Sequence, residues 1–156
     1  MKTTADHQNW NNVSEIELIY KSKIKASERP AITSSSSAFK IAVQNWDKNK
    51  IEFIEQFKII LLSQSNKVLG IYEMSTGGIS GTTVDIRLLF SAALKAAATG
   101  IILLHNHPSG NTIPSQADKT VTNKIVQAGK FLDITIIDHL IITPYSYYSF
   151  ADDNAL

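Results

Sequence analysis

Cysteine is absent from all 156 residues. That excludes a disulfide framework and any thiolate-held metal, and it is compatible with a reducing compartment. Proline occurs four times and glycine seven, too sparsely for a collagenous or low-complexity chain. No hydrophobic run is long enough to cross a bilayer. Residues 1–12 are polar and Asn-rich, with none of the apolar core of a secretory signal. Neither sign of charge dominates: 15 Lys and Arg against 14 Asp and Glu leave +1. Nucleic acid would therefore need a local basic patch, because the overall field does not gather it. These absences lead us to expect a soluble, cytoplasmic protein without a membrane partner. What is present, 44% hydrophobic residues in a chain of one-domain length, suffices to bury a core without staples.

Periodicity sets the order of elements. Residues 1–12 read as a loose tail. Residues 14–23 alternate, with Ile16, Leu18 and Tyr20 against Glu15, Glu17 and Lys21, which predicts an edge strand. A loop over residues 28–37 supplies serines to cap a helix over 36–47, with Phe39, Val43 and Trp46 at helical spacing. Residues 51–62 and 67–75 read as a hairpin. Gly77, Gly78 and Gly81 mark a flexible crossing, and they lack the lysine of a phosphate loop. Asp85 caps an alanine-rich helix over 86–99, with Gly100 at its close. A strand over 101–107, a helix over 116–128 ending at Gly129, and short strands over 134–143 and 147–150 complete the chain. Tyr145, Tyr147, Tyr148 and Phe150 read as C-terminal packing. A sheet flanked by helices is the fold class this order gives, α/β in character.

The chemistry concentrates in one block. His105 and His107 stand two apart on a strand, so their rings share one side of a sheet. After a loop through Gly110 and Pro114, Asp118 arrives on the first turn of a helix. Two nitrogens and one oxygen converging on a point suit a catalytic Zn2+, which takes three protein ligands and keeps a position for water. Such an ion lowers the pKa of its water toward neutrality. A carboxylate is then needed to relay the proton, and Glu55, Glu52 and Glu73 are the upstream candidates that spacing leaves open. Ser115, three residues before Asp118, reads both as a helix cap and as a hydrogen-bond donor to an oxyanion. Asp138 and His139 lie between apolar runs and read as a buried, hydrogen-bonded pair. His7, in the polar tail, reads as solvated.

His105-x-His107-Pro108 followed by Ser115-x-x-Asp118 resembles the JAMM (JAB/MPN+) metalloprotease motif. More closely, residues 105–110 and 114–118, with Gly81-Thr82, Leu132-Asp133-Ile134, Asp138-His139 and Tyr148-Ser149-Phe150, resemble the RadC-like JAB-domain family. The similarity runs from about residue 51 to the C-terminus. It divides the chain into a tail over 1–12, a strand and helix extension over 13–50 and a JAB/MPN domain over 51–156. The resemblance implies an α/β/α fold with a curved, mostly antiparallel sheet. It implies one zinc on His105, His107 and Asp118, Ser115 as the transition-state donor, and Glu55 in the Glu-x-Phe that precedes the hairpin. Two departures stand out. Nothing in residues 1–50 reads as a helix-hairpin-helix, and Asn106 replaces the Ser or Thr that eukaryotic isopeptidases carry between their histidines, with no glycine in residues 58–61.

Three functions compete on this reading. The first is zinc-dependent hydrolysis of a peptide or isopeptide bond in a protein or peptide substrate. The second is a metal-dependent phosphodiesterase of DNA processing, which the charge balance does not support. The third is a non-catalytic scaffold that binds a partner through the JAB domain.

Overall fold

The computed structural model describes residues 14, 17, 19–77 and 83–156. The expected tail over 1–12, and the crossing beyond Gly77, lie outside them. In chain order the elements are a 3-10 turn Ala26–Glu28, α1 Ser35–Gln44, β1 Gln56–Leu62, β2 Val68–Thr76, α2 Ile86–Lys95, β3 Gly100–Asn106, α3 Gln116–Phe131, β4 Thr135–Ile142 and β5 Tyr147–Ser149. The strands form one sheet in the order β2-β1-β3-β4-β5. Only β3 and β4 run parallel; the other three pairings are antiparallel. Parallel neighbours need a long return connection, and α3 supplies it.

β1 and β3 are central and buried at every position, so their side chains feed two cores on opposite faces. Phe57, Ile59, Leu61, Ile101 and Leu103 pack with Leu89, Phe90 and Ala93 of α2 and Ile125 of α3. Ile60, Leu62, Ile102 and Leu104 pack with Ala38 and Ala42 of α1, Trp46 and Ile51. Strand alternation thus yields an α/β/α sandwich. No described helix is long and apolar enough to cross a membrane.

Several expectations are corrected. The strand over 14–23 does not form where it is described: residues 19–23 are in no strand. Alternation without a backbone partner makes no ladder, and Tyr20 bonds to β2 through its hydroxyl, which donates to Leu69 O at 2.8 Å. Residues 15, 16 and 18 lie outside the described set. α1 stops at Gln44, three residues early, where Asn45 turns its amide back to Ile41 O at 2.9 Å. Its buried stripe is Ala38 and Ala42, while Phe39 lies against Tyr147 with ring centroids 4.8 Å apart. The first hairpin strand begins at Gln56, because residues 51–54 form turns.

Candidate metal centre

β3 delivers His105, and the chain continues in register for one more residue: His107 N–H donates to Ile142 O at 3.1 Å. The two rings stand on the α2/α3 side, edge to face, with centroids 5.0 Å apart. Asp118 arrives from α3 through a capping box. Ser115 Oγ accepts from Asp118 N at 3.1 Å, and Ser115 N and Oγ each donate to Asp118 Oδ2 at 2.7 Å. The cap reading of Ser115 therefore holds, and the cap itself aims the carboxylate.

The acceptor atoms converge. Asp118 Oδ1 lies 3.6 Å from His105 Nε2, and Asp118 Oδ2 lies 3.5 Å from His107 Nε2. All three ligand atoms fall within 4.8 Å of one another. Tetrahedral ligands at roughly 2.0–2.1 Å from a common ion are separated by about 3.3 Å, so these spacings match a cation's coordination edge. The tautomers fit as well. His105 Nδ1 lies 3.2 Å from Gln56 O and His107 Nδ1 lies 2.6 Å from Asn111 O. A carbonyl can only accept, so each Nδ1 carries the proton and each Nε2 keeps its lone pair for a metal. Donor set, spacing and tautomer together fit a divalent cation.

Glu55 is the upstream carboxylate that the structure brings to this cluster. It sits immediately before β1, with Oε2 3.8 Å from His105 Nε2. Glu52 is exposed on a turn. Glu73 is engaged on the other face, 3.4 Å from Lys58 Nζ, which lies over the Trp46 ring. Burial raises the Glu55 carboxyl above its ordinary value; nearby His107 opposes this and Asp118 adds to it. Burial pushes the His105 imidazole down despite Asp118. In its doubly protonated form His107 can donate to Asp118, which raises its pKa against its own burial. Burial also lifts the Asp118 carboxyl, but bonds from His107 and Ser115 outweigh it and hold that group well below the usual range. The cluster opens on a groove of about 830 Å³ whose walls include Phe57, Val84, Ile86, Ile113 and Val121, with Lys124 at its side.

Asp138 and His139 are both buried and one hydrogen bond joins them, His139 N–H to Asp138 Oδ1 at 2.7 Å, but their two side chains do not meet. Adjacent strand positions face opposite sides, and Asp138 is taken by Ser149 Oγ at 2.6 Å and Ala151 N at 3.0 Å. His139 faces the metal-ligand side, stacked on Phe150. Burial drives its pKa down to about 3, so the ring is neutral. Thr122, buried behind Asp118, is the residue that sequence reasoning missed. Its hydroxyl lies 2.6 Å from His139 Nδ1, and it follows Asp118 by four residues on the same helical face.

Residues 32–155 match the family model of the RadC-like JAB domain. The chain is 56% identical over 99 residues to a UPF0758 protein of Flavobacterium johnsoniae, a match covering 64% of this chain and 43% of that protein. It is 42% identical over 117 residues to the UPF0758 protein YfjY of Escherichia coli K12, covering 74% of this chain and 73% of that one. A UPF0758 protein of Clostridioides difficile is 33% identical over 151 residues, covering 91% of this chain and 64% of its own length. The chain thus spans less than half the length of the Flavobacterium relative.

Proposed function

Because the chain belongs to the RadC-like JAB domain family, and because its His105, His107 and Asp118 converge as a cation-binding set, we propose that it is a zinc-dependent hydrolase of peptide or isopeptide bonds. The observation that carries this reading is the placement of Glu55, Oε2 3.8 Å from His105 Nε2, beside the ligand set and on the wall of the open groove. Two imidazoles and a carboxylate with a position left for water are a donor set that suits zinc. When bound, the ion supplies Lewis acidity toward a carbonyl and a more acidic water.

The protein's own groups then divide the work. Glu55, with its raised pKa, takes a proton from the attacking water and returns it to the departing amine. Ser115 has one hydroxyl proton, which it donates in a hydrogen bond to Asp118 Oδ2. Turning that hydroxyl toward an oxyanion leaves Asp118 Oδ2 still held by Ser115 N at 2.7 Å, so the ligand stays aimed while the donor acts. The apolar wall of Phe57, Val84, Ile86 and Val121 suits an extended protein segment.

Metal analysis of the purified chain tests the reading directly. One zinc per chain is expected, lost in His107→Ala. Glu55→Gln should retain the ion and lose about 10²–10⁴-fold in turnover on a peptide library. Failure of the zinc-supplemented chain to take up the ion overturns the proposal, as does full turnover by Glu55→Gln.

A further inference from the structure

Behind the ligand set lies an imidazole that the chemistry above does not use. His139 is fully buried, its ring 4.8 Å from Phe150 at an interplanar angle of 12° and 5.6 Å from Phe57. Phe57 in turn lies 5.9 Å from the ring of His105. Thr122 Oγ1 donates to Asp118 O at 2.5 Å and lies 2.6 Å from His139 Nδ1. The Asp118 carbonyl has no proton to give, so the single hydroxyl proton of Thr122 is committed to it. Thr122 Oγ1 can then only accept from His139, which fixes the proton on Nδ1. Nε2 is left as a bare lone pair with no partner among the described residues.

Each half has an ordinary explanation, and neither explains the other. Threonine in a helix often bonds back to the carbonyl four residues earlier. A buried ring between two phenylalanines is packing. Yet packing alone is served better by phenylalanine, which brings no unpaired nitrogen into an apolar setting. The nitrogen that does have a partner is the one directed at the ligand-bearing helix.

We propose that Thr122 and His139 are positioning residues for the metal centre: the imidazole donates to the hydroxyl, the hydroxyl donates to the Asp118 carbonyl, and this relay sets where the first turn of α3 stands against the histidine strand. The inference rests on the reading that His105, His107 and Asp118 hold a cation. His139 lies on β4, paired in register with Leu103 of β3, the strand that carries His105. The relay therefore ties the carboxylate ligand to the same sheet that carries the imidazole ligands. Ser115 clamps the Asp118 carboxylate from the loop side, and Thr122 clamps its carbonyl from within the core. A ligand set functions only when held to about half an ångström, which is what a second clamp provides.

Four variants test the relay with cobalt(II) and zinc(II) alone, so no substrate is needed. Thr122→Val keeps the shape and removes the hydroxyl; Thr122→Ser restores it. His139→Phe keeps the ring and removes the donor; His139→Asn restores an N–H near the Nδ1 position. Zinc affinity by chelator competition should fall about 10–100-fold in Thr122→Val and His139→Phe, the loss typical of groups that orient metal ligands. The visible spectrum of the cobalt-loaded protein should change with it. Serine and asparagine should return both readouts toward wild type. If His139→Phe does not fold, the Thr122 pair decides. A Thr122→Val protein with wild-type zinc affinity and cobalt spectrum overturns the relay and leaves the metal centre standing, as does a Thr122→Ser protein no better than Thr122→Val. A wild-type chain that takes up neither ion overturns the relay together with the proposed function.

Discussion

Asn106 stands between the two imidazoles in sequence and faces the opposite side of the sheet. Its amide is fully buried and fully used. Oδ1 accepts from Gln56 N at 2.6 Å, while Nδ2 donates to Ile51 O at 2.8 Å and Ile54 O at 2.9 Å. These three backbone groups bracket Glu55, so one side chain ties the proposed proton carrier to the strand of the metal ligands. Neither serine nor threonine has a donor pair that spans both carbonyls, which gives the departure from the isopeptidase pattern a physical meaning. Truncation in Asn106→Ala leaves an N–H and two carbonyls without their partner, at a cost on the order of 3 kcal/mol. Urea unfolding should show that loss, and amide exchange across residues 51–56 should accelerate. Zinc affinity should change little, because no ligand is touched. Unchanged exchange in that segment would remove Asn106 from any role in holding Glu55.

At the scale of elements, the helix starts were readable and the helix ends were not. Ser34, Asp85 and Ser115 each cap a helix with a side-chain acceptor, as their residue type suggests. Glycine was expected to close α2 at Gly100 and α3 at Gly129, yet the left-handed positions fall on Ala97, at φ 51°, and Asp133, at φ 54°. The bonds of each close are in place, Ala98 N to Ala93 O at 2.9 Å and Ile134 N to Gly129 O at 3.0 Å. Gly129 instead stays within α3, because a Cβ there would stand 2.5 Å from Ile134 O. A close approach between a helix and the chain that leaves it has no periodic trace, whereas a cap does. The same distinction explains the site. His105, His107, Ser115 and Asp118 are near in sequence and were identified together, while Thr122 and His139 meet only through the β3–β4 crossover. Ala97→Gly should therefore stabilise the chain by about 0.5–1 kcal/mol by relieving the left-handed alanine. Gly129→Ala should destabilise it by roughly 1–3 kcal/mol, although helix propensity alone favours alanine by about 1 kcal/mol. Urea midpoints of the two variants, moving in opposite directions, check both at once.

At the scale of the whole molecule, the histidines behind and within the ligand set shape how stability depends on pH. His139, held down to about 3 by burial, and His105, lowered by burial despite Asp118, remain unprotonated in the folded chain where the unfolded chain binds protons. Stability rises with pH wherever the unfolded state holds more protons, so both groups make the metal-free protein weaker below about pH 6.5. His107 works in the other direction. Its bond to Asp118 raises its pKa, so its contribution is complete below about pH 6.5 and is lost as pH climbs through the raised value. Asp118, held low by His107 and Ser115 against its own burial, contributes fully above the ordinary carboxylate value near 3.8 and loses that contribution progressively as pH falls below it. The metal-free chain should therefore be most stable near neutrality, and each proton of difference contributes a slope of about 1.4 kcal/mol per pH unit. Urea unfolding between pH 5 and 9 with a chelator present should trace a dome. His139→Asn should flatten its acidic side, since one of the two suppressed imidazoles is gone. Asp118→Asn should flatten its alkaline side, since the largest of the contacts that raise His107 is then gone. An acidic limb of undiminished slope in His139→Asn would mean that the buried ring already exchanges protons in the folded state, and the neutral donor assigned to it would have to be given up.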